Sequence, residues 1–516
     1  VFHDGVPVAE PPAAVMGQGC SSPGTHLSGR RCVVFWAELF PSLTQKNPED
    51  IQWLHKGSSW VRVTRVISTA WRKPGIATGL RLASETLAYT SDMPGPFFSP
   101  RRRGGKMKIS EFRPFLITMA LCVPGGLIRF AHPELSPFII VILTGFAIFG
   151  ASFMLTWTCE AAEMDIPQAV AVAVVALIAV LPEYSVDMYF TWMAGQNPDS
   201  RYTHYAIANM TGANRLLIGL GWSVLVFIFA VRFHRGIDLL NDKRTDLAFL
   251  GLATLYALFV SWKGSLTLLD GCIFFAMYVG YMAIVSRRPV EAGEQEGPSL
   301  ALARLPRKIR ISLVAFFFVY SAVVIAACAE PFSEGLVASG KLLGIDEFLL
   351  VQWLAPVASE APEFIVGIMF ALRGNAALAL GSLLSSKLNQ WTLLVGMIPA
   401  CYALSSGSTV PMAMDTHQFV EIFLTAAQSL FALVLLLNLH LGIMEAVVLF
   451  LLFCGQFLSP VYEPAFEALL ALPHDPLRLH RFFAYTYLAL GVICLIPQWR
   501  DLLRLRKGFF VRVDAD

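Results

Sequence analysis

Along most of this chain apolar residues run together in long stretches instead of alternating with polar ones. Between residues 115 and 499 they form twelve segments, roughly 115–131, 138–157, 167–195, 205–231, 246–262, 266–286, 311–330, 347–373, 376–404, 417–438, 442–459 and 481–499. Segments of about 17–25 residues match the ~30 Å hydrocarbon core of a bilayer. The pattern predicts an all-α polytopic membrane protein with about twelve transmembrane helices.

Two of these runs are interrupted in the same way. The third contains AVLPEYSVDMYF (179–190) and the eighth APVASEAPEFIVG (355–367), each with a Pro-Glu in mid-span: Pro182-Glu183 and Pro362-Glu363. Asp187 lies four residues after Glu183, and Glu360 three before Glu363, so each pair can share a helix face. Each motif is followed by a span that opens with small and polar residues, AIANMTGANRLLIGLGW (206–222) and ALGSLLSSKLNQWTLLVG (379–396). These align Gly212-Ala213-Asn214 with Ser385-Ser386-Lys387. From the third span to the eighth is five crossings, an odd number, so the second copy enters the membrane from the opposite side. That is an inverted-topology repeat, about 167–231 and about 347–404, with broken helices expected at an ion site near the midplane.

The interruptions have a physical reading. Pro182 and Pro362 each remove an N–H and clash with the preceding turn, which frees carbonyls and breaks the helix. Freed carbonyls are costly in lipid unless they line a cavity or meet a cation. Carboxylates at bilayer depth point to function. Gly212, Ser385 and Ser386 allow close packing of neighbouring backbones. Four carboxylates around one cavity make a hard, oxygen-rich site suited to Na⁺, Ca²⁺ or protons.

Composition sharpens this picture. The chain is 56% hydrophobic and 15% charged, against about 25% charged for a soluble domain, which excludes a soluble helical protein. The net charge of +2 suggests no nucleic-acid partner. The nine cysteines show no close pairing and read as packing residues. No HExxH and no nucleotide-binding Gly-rich loop is present, so neither ATP nor any cofactor is expected. Lys and Arg concentrate in 232–244, 286–310, Arg373 and 500–510, whereas 405–416 has none. The positive-inside rule then places both termini in the cytoplasm of a multi-pass inner (plasma) membrane protein. The acidic segment 158–166 falls on the same side and does not contribute to the bias. Residues 1–106 lack any such pattern. They read as an over-extended gene start ahead of Met107 or as a disordered basic tail. The remaining division is a first half (107–286), a cytoplasmic linker (287–310), a second half (311–460), and a C-terminal helix with a basic tail (461–516).

The paired Pro-Glu motifs and the spans that follow them resemble the cation/calcium exchanger superfamily, the sodium/calcium exchanger membrane region, as a divergent prokaryotic-type member. The resemblance covers roughly 138–459 and leaves the first and twelfth spans as additions. It implies two inverted α-repeats, ten core helices, and ion binding by Glu183 and Glu363, with Glu360, Asp187, Asn214 and Ser359 as further ligands. The family usually carries Gly-Thr-Ser before Leu-Pro-Glu. Here Ala358-Ser359-Glu360 keeps one hydroxyl, and Ile178-Ala179-Val180 keeps neither. Where the family usually has Asn in its second Gly-Ser-Asn, this chain has Lys387, with Asn389 and Gln390 nearby. Lys387 reads as a buried ammonium paired with the carboxylates, for charge balance or proton coupling, or alternatively as a snorkelling side chain. Glu330 and Glu334 flank Pro331 at a span end and read as interfacial. Glu421 and Glu445 have no role in this scheme, and His204, His234 and His440 read as loop or interface residues.

The function expected is secondary antiport of Ca²⁺ or another cation against Na⁺ or H⁺ by alternating access. The alternatives are a Na⁺/H⁺ exchanger on the same scaffold and, more remotely, a membrane-embedded hydrolase. The expected partners are inorganic cations and the lipid bilayer. The oligomeric state is not legible.

Overall fold

A computed structural model describes residues 109–162, 164–165, 180–287, 297–412, 414–462 and 477–505. The expectations for 1–106 and for the start of the third span lie outside the described residues.

The described chain is helical. Its elements are α1 (Arg113–Ala131), α2 (Pro137–Ala162), α3 (Leu181–Gln196), α4 (Tyr202–Phe233), α5 (Arg244–Lys263), α6 (Leu268–Val285), the short α7 (Pro298–Ala303), α8 (Arg307–Leu343), α9 (Glu347–Leu372), α10 (376–406), α11 (Thr416–Leu435), α12 (Ile443–Leu458) and α13 (Arg478–Leu505). Among the described residues, nine helices are long and apolar enough to cross a membrane. The chain is a multi-pass membrane protein.

Three boundaries differ from the sequence reading. First, α8 does not end near residue 330. It continues through Pro331 to Leu343, 37 residues in all, about 55 Å at 1.5 Å per residue. Glu330 and Glu334 therefore sit within a helix. Second, the linker 287–310 is not all linker, because α7 lies in it and α8 begins at Arg307. Third, Pro362 does not break its helix: α9 is helical through both Pro356 and Pro362. Pro182 lies in the first turn of α3, where its missing N–H has no helical partner to lose.

The irregular backbone lies instead in the helices that follow. α4 and α10 each contain one stretch of π-helix, at Leu217–Trp222 and Gln390–Leu394. The alignment that matches Gly212 with Ser385 also matches Leu217 with Gln390. Such bulges, rarer than proline kinks, frequently mark functional sites.

Connections between loops respect the alternation of crossings. Ile237–Asp238 after α4 pairs antiparallel with His440–Leu441 after α11, and a single bridge joins Leu266 to Met412. Arg310 at the start of α8 grips Asp165, past the end of α2, through two hydrogen bonds of 2.6 and 2.8 Å. The guanidinium holds the Asp165 carboxyl below the usual carboxylate range, and Arg307 lies 3.3 Å away. Asp165 thus has its counter-charges within the fold.

The buried apolar side chains form two bodies. One gathers α1, α2, α8 and the start of α9, with Phe115, Ile148, Phe332 and Val351 among its members. The other gathers the later part of α4 with α5, α6, α10, α11 and α13, around Trp222, Leu250, Trp391 and Phe431. Helices α3, α4 and α9 contribute to both: Tyr184 to one and Phe190 to the other, Met210 and Tyr205, Ala371 and Ala355. The Pro-Glu helices therefore lie along the seam. None of the seven described cysteines forms a disulfide with another described residue.

Candidate functional site

At the seam the two Pro-Glu motifs meet. The Glu183 carboxyl lies beside that of Glu360, and Glu360 beside Glu363, close enough to interact electrostatically. Glu183, Asp187 and Glu360 are fully buried, and Glu363 is partly so. Residues 180 positions apart in sequence thus share one pocket of carboxyl oxygens. Carboxyls that crowd one another in a buried site are relieved by taking up a proton or a cation.

Amides and hydroxyls hold the group in place. Asn209 Nδ2 donates to Asp187 Oδ1 at 2.6 Å. The Gln390 side-chain amide, in the π-turn of α10, donates to Glu360 Oε1. Ser386 Oγ donates to Glu363 Oε2 at 3.1 Å. Even so, both oxygens of Glu183, Oδ2 of Asp187, Oε2 of Glu360, Oδ1 of Asn209 and Oε1 of Gln390 are buried and accept from no N–H or O–H donor. Buried acceptors in native proteins are normally satisfied. Hard-oxygen ligands in excess of donors are what a Ca²⁺, Na⁺ or proton would satisfy. Among the described residues, no group of three or more His, Cys, Asp or Glu is already set as a metal cage.

Lys387 is fully buried, which excludes snorkelling. It does not hydrogen-bond a carboxylate: its Nζ donates to Asn214 Oδ1 at 2.6 Å and lies 4.3 Å from the Trp391 ring centroid. Its charge nevertheless falls within electrostatic reach of Glu183. Asn214 also donates to the Met210 carbonyl at 2.8 Å. Its side chain is therefore engaged on both sides. Ser359 Oγ turns to carbonyls of its own helix, Ala355 at 3.4 Å and Pro356 at 3.3 Å.

The small residues sit where helices approach most closely. A Cβ on Gly212 would lie 1.8 Å from the Gln352 carbonyl oxygen, and one on Gly221 2.5 Å from the Phe364 ring. Ser385 does not face α3 or α9; it donates to Asp246 Oδ2 at 3.0 Å and accepts from Lys243 Nζ at 3.1 Å.

Sequence reasoning missed Asn209 and gave Gln390 no role. Each is an amide inside an apolar span on one of the two helices that follow the motifs, and that placement was the available signal. Glu445, left without a role, accepts from the Gly442 N–H and caps α12.

The fold and this carboxyl-lined seam define a membrane ion transporter of the cation-exchanger class. The model of the sodium/calcium exchanger protein family matches residues 135–287 and 313–459, more than half of the chain, and the chain belongs to that family. The match leaves α1 and α13 outside it. Among solved structures, the crystal structure of the H⁺/Ca²⁺ exchanger CAX is 37% identical, with a TM-score of 0.72, covering 78% of this chain and 98% of that one. The structure of native YfkE is 13% identical with a TM-score of 0.50, covering 73% and 99%, and shows the fold alone. The sodium/calcium exchanger MaX1 of Methanosarcina acetivorans is 27% identical over 115 residues, 21% of this chain; the match spans about a third (33%) of that relative's length.

Proposed function

We propose that this protein is a secondary antiporter that exchanges Ca²⁺ for H⁺ by alternating access at the Glu183–Glu360–Glu363 cluster. The observation that carries the reading is the meeting of both Pro-Glu motifs in one buried group of carboxyls whose oxygens outnumber their donors. A dication arriving there displaces protons, and protons arriving from the other side displace the dication. The likeness to an H⁺/Ca²⁺ exchanger at 37% identity supports this ion pair.

In this reading Glu183, Glu360 and Glu363 carry the exchanged charge. Asp187 and Asn214 complete the ligand set, and Ser359 joins it by turning its hydroxyl from its own helix. Lys387 is a tethered cation that fills, through Asn214, the place of a transported one. Pro182 and Pro362 soften the two motif helices. α3, α4 and α9 form the inverted-repeat seam between the two apolar bodies, and sliding of one body past the other would expose the cluster to each side in turn. The positive-inside bias supports a plasma-membrane location with both termini cytoplasmic.

The test is isotope flux in proteoliposomes. A pH gradient should drive ⁴⁵Ca²⁺ uptake without Na⁺, and uptake should collapse when a protonophore dissipates the gradient. Uptake that follows a Na⁺ gradient and ignores the pH gradient would replace H⁺ by Na⁺ as the counter-ion.

A further inference from the structure

Away from the carboxyl cluster, a second group of charges is buried at the junction of α4, α9, α11 and α13. Glu421 on α11 is 0% exposed and Arg215 on α4 1%. They form an ion pair through Arg215 Nη2. Gln352 on α9 donates to the same Glu421 oxygen at 2.8 Å. The other Glu421 oxygen faces His480 Nε2 on α13 at 3.2 Å. Arg215 stacks on the Trp353 ring at 5.1 Å, and its Nη1 has no acceptor. His417, one turn before Glu421 on α11, lies 6.1 Å from His480 between ring centroids and packs against Phe348 at 4.7 Å. Around this end stand His204 with Asp415 at 3.6 Å and Arg201 with Glu347 at 2.8 Å. The expected sidedness places His480, His417, His204 and Arg201 toward the outer face, with Arg215 deeper along α4 beside Asn214.

We infer that His480 and Glu421 form a proton-binding site separate from the transport cluster, which links outside pH to cation affinity through Arg215. With His480 neutral, Glu421 has one cation, Arg215, and the pair is balanced. A proton on His480 gives Glu421 two cations to share, and Arg215, already short of one acceptor, loses part of its hold. Arg215 follows Asn214 directly, and Asn214 holds Lys387. A shift of Arg215 is therefore transmitted to the side chain that balances the charge of Glu183. The imidazole comes from α13, which lies beyond the residues that the family model matches.

The inference rests on the antiport reading only for its functional readout, so two measurements keep the two apart. In nanodiscs, histidine-selective NMR should show one ring that titrates between about pH 5 and 8, is missing in His480→Gln, and moves its midpoint in Glu421→Gln. In proteoliposomes, lowering the outside pH across that range should weaken apparent Ca²⁺ affinity, and His480→Gln should reduce this pH dependence by about fivefold while uptake at the alkaline end is unchanged. A His480 ring that ignores pH, or whose midpoint is the same in Glu421→Gln, overturns the proton site. A wild-type pH profile in His480→Gln overturns its link to transport. If Ca²⁺ flux is absent but the NMR result holds, the antiport reading fails and the proton site stands.

Discussion

At the scale of single residues, the site is a balance between carboxylates and a few positive or donating groups. Replacing Glu183 or Glu363 by Gln keeps the shape and removes a charge that the cation needs. Each change should lower apparent Ca²⁺ affinity by about 100-fold, read by equilibrium ⁴⁵Ca²⁺ binding to purified protein. Glu360→Gln makes a sharper case. The glutamine would donate to carboxyls that now crowd one another, so the cation-free protein should gain about 1 kcal/mol of stability while losing transport; a thermal melt beside a flux assay shows both. Lys387→Asn should raise the number of Ca²⁺ ions bound per protein at saturation, because the ammonium beside Asn214 no longer fills the place. Unchanged stoichiometry would make Lys387 a packing residue. The glutamates were legible because proline and acid together have no other business in an apolar span. The partnership of Lys387 with Asn214 was not, since nothing local says which acceptor a buried ammonium will meet 173 positions away. The same holds for Glu421, whose counter-charge Arg215 is 206 positions distant.

At the scale of elements, the spans were legible from length and hydropathy, while the kind of irregularity was not. Proline predicted broken motif helices, but α9 carries Pro356 and Pro362 without a break, which helices packed against neighbours in a membrane tolerate. The bulges fall in α4 and α10 instead, where Gly219 and Gly221 meet Phe453 and Phe364 at 2.3 and 2.5 Å from a built Cβ, and where Gln390 must reach Glu360. Bulges of this kind leave no mark in hydropathy. Gly212→Ala tests the closest approach. Its methyl would meet the backbone of α9 at 1.8 Å, and separating the helices should cost about 3 kcal/mol, seen as a loss of folded protein in detergent. The grip of Arg310 on Asp165 is a second test, because breaking a partly buried, solvent-screened pair costs about 1 kcal/mol. The lowered carboxyl value fixes the sign: its contribution is present above the ordinary aspartate range and is lost as pH falls through the depressed value. Arg310→Ala should therefore destabilise the protein at neutral pH, and that deficit should shrink in strong acid; a deficit independent of pH would assign the effect to packing alone.

At the scale of the whole molecule, the fold places an ionisable cluster on the seam between two apolar bodies, with helices from both halves of the chain contributing to each. That arrangement makes a transporter more economical than a channel, because motion along the seam can open one side while the other stays closed. The two-body division could not be read from the sequence. Hydropathy says that a segment is buried but not against which neighbour, and α3, α4 and α9 give the same apolar signal as helices that belong to one body. The direct test of the shared site is proton release on binding. Purified protein in weakly buffered solution, titrated with Ca²⁺, should release about two protons per Ca²⁺ bound, and Glu183→Gln and Glu363→Gln should each release fewer. Tight Ca²⁺ binding with no proton release would contradict exchange of the two ions at one carboxyl cluster.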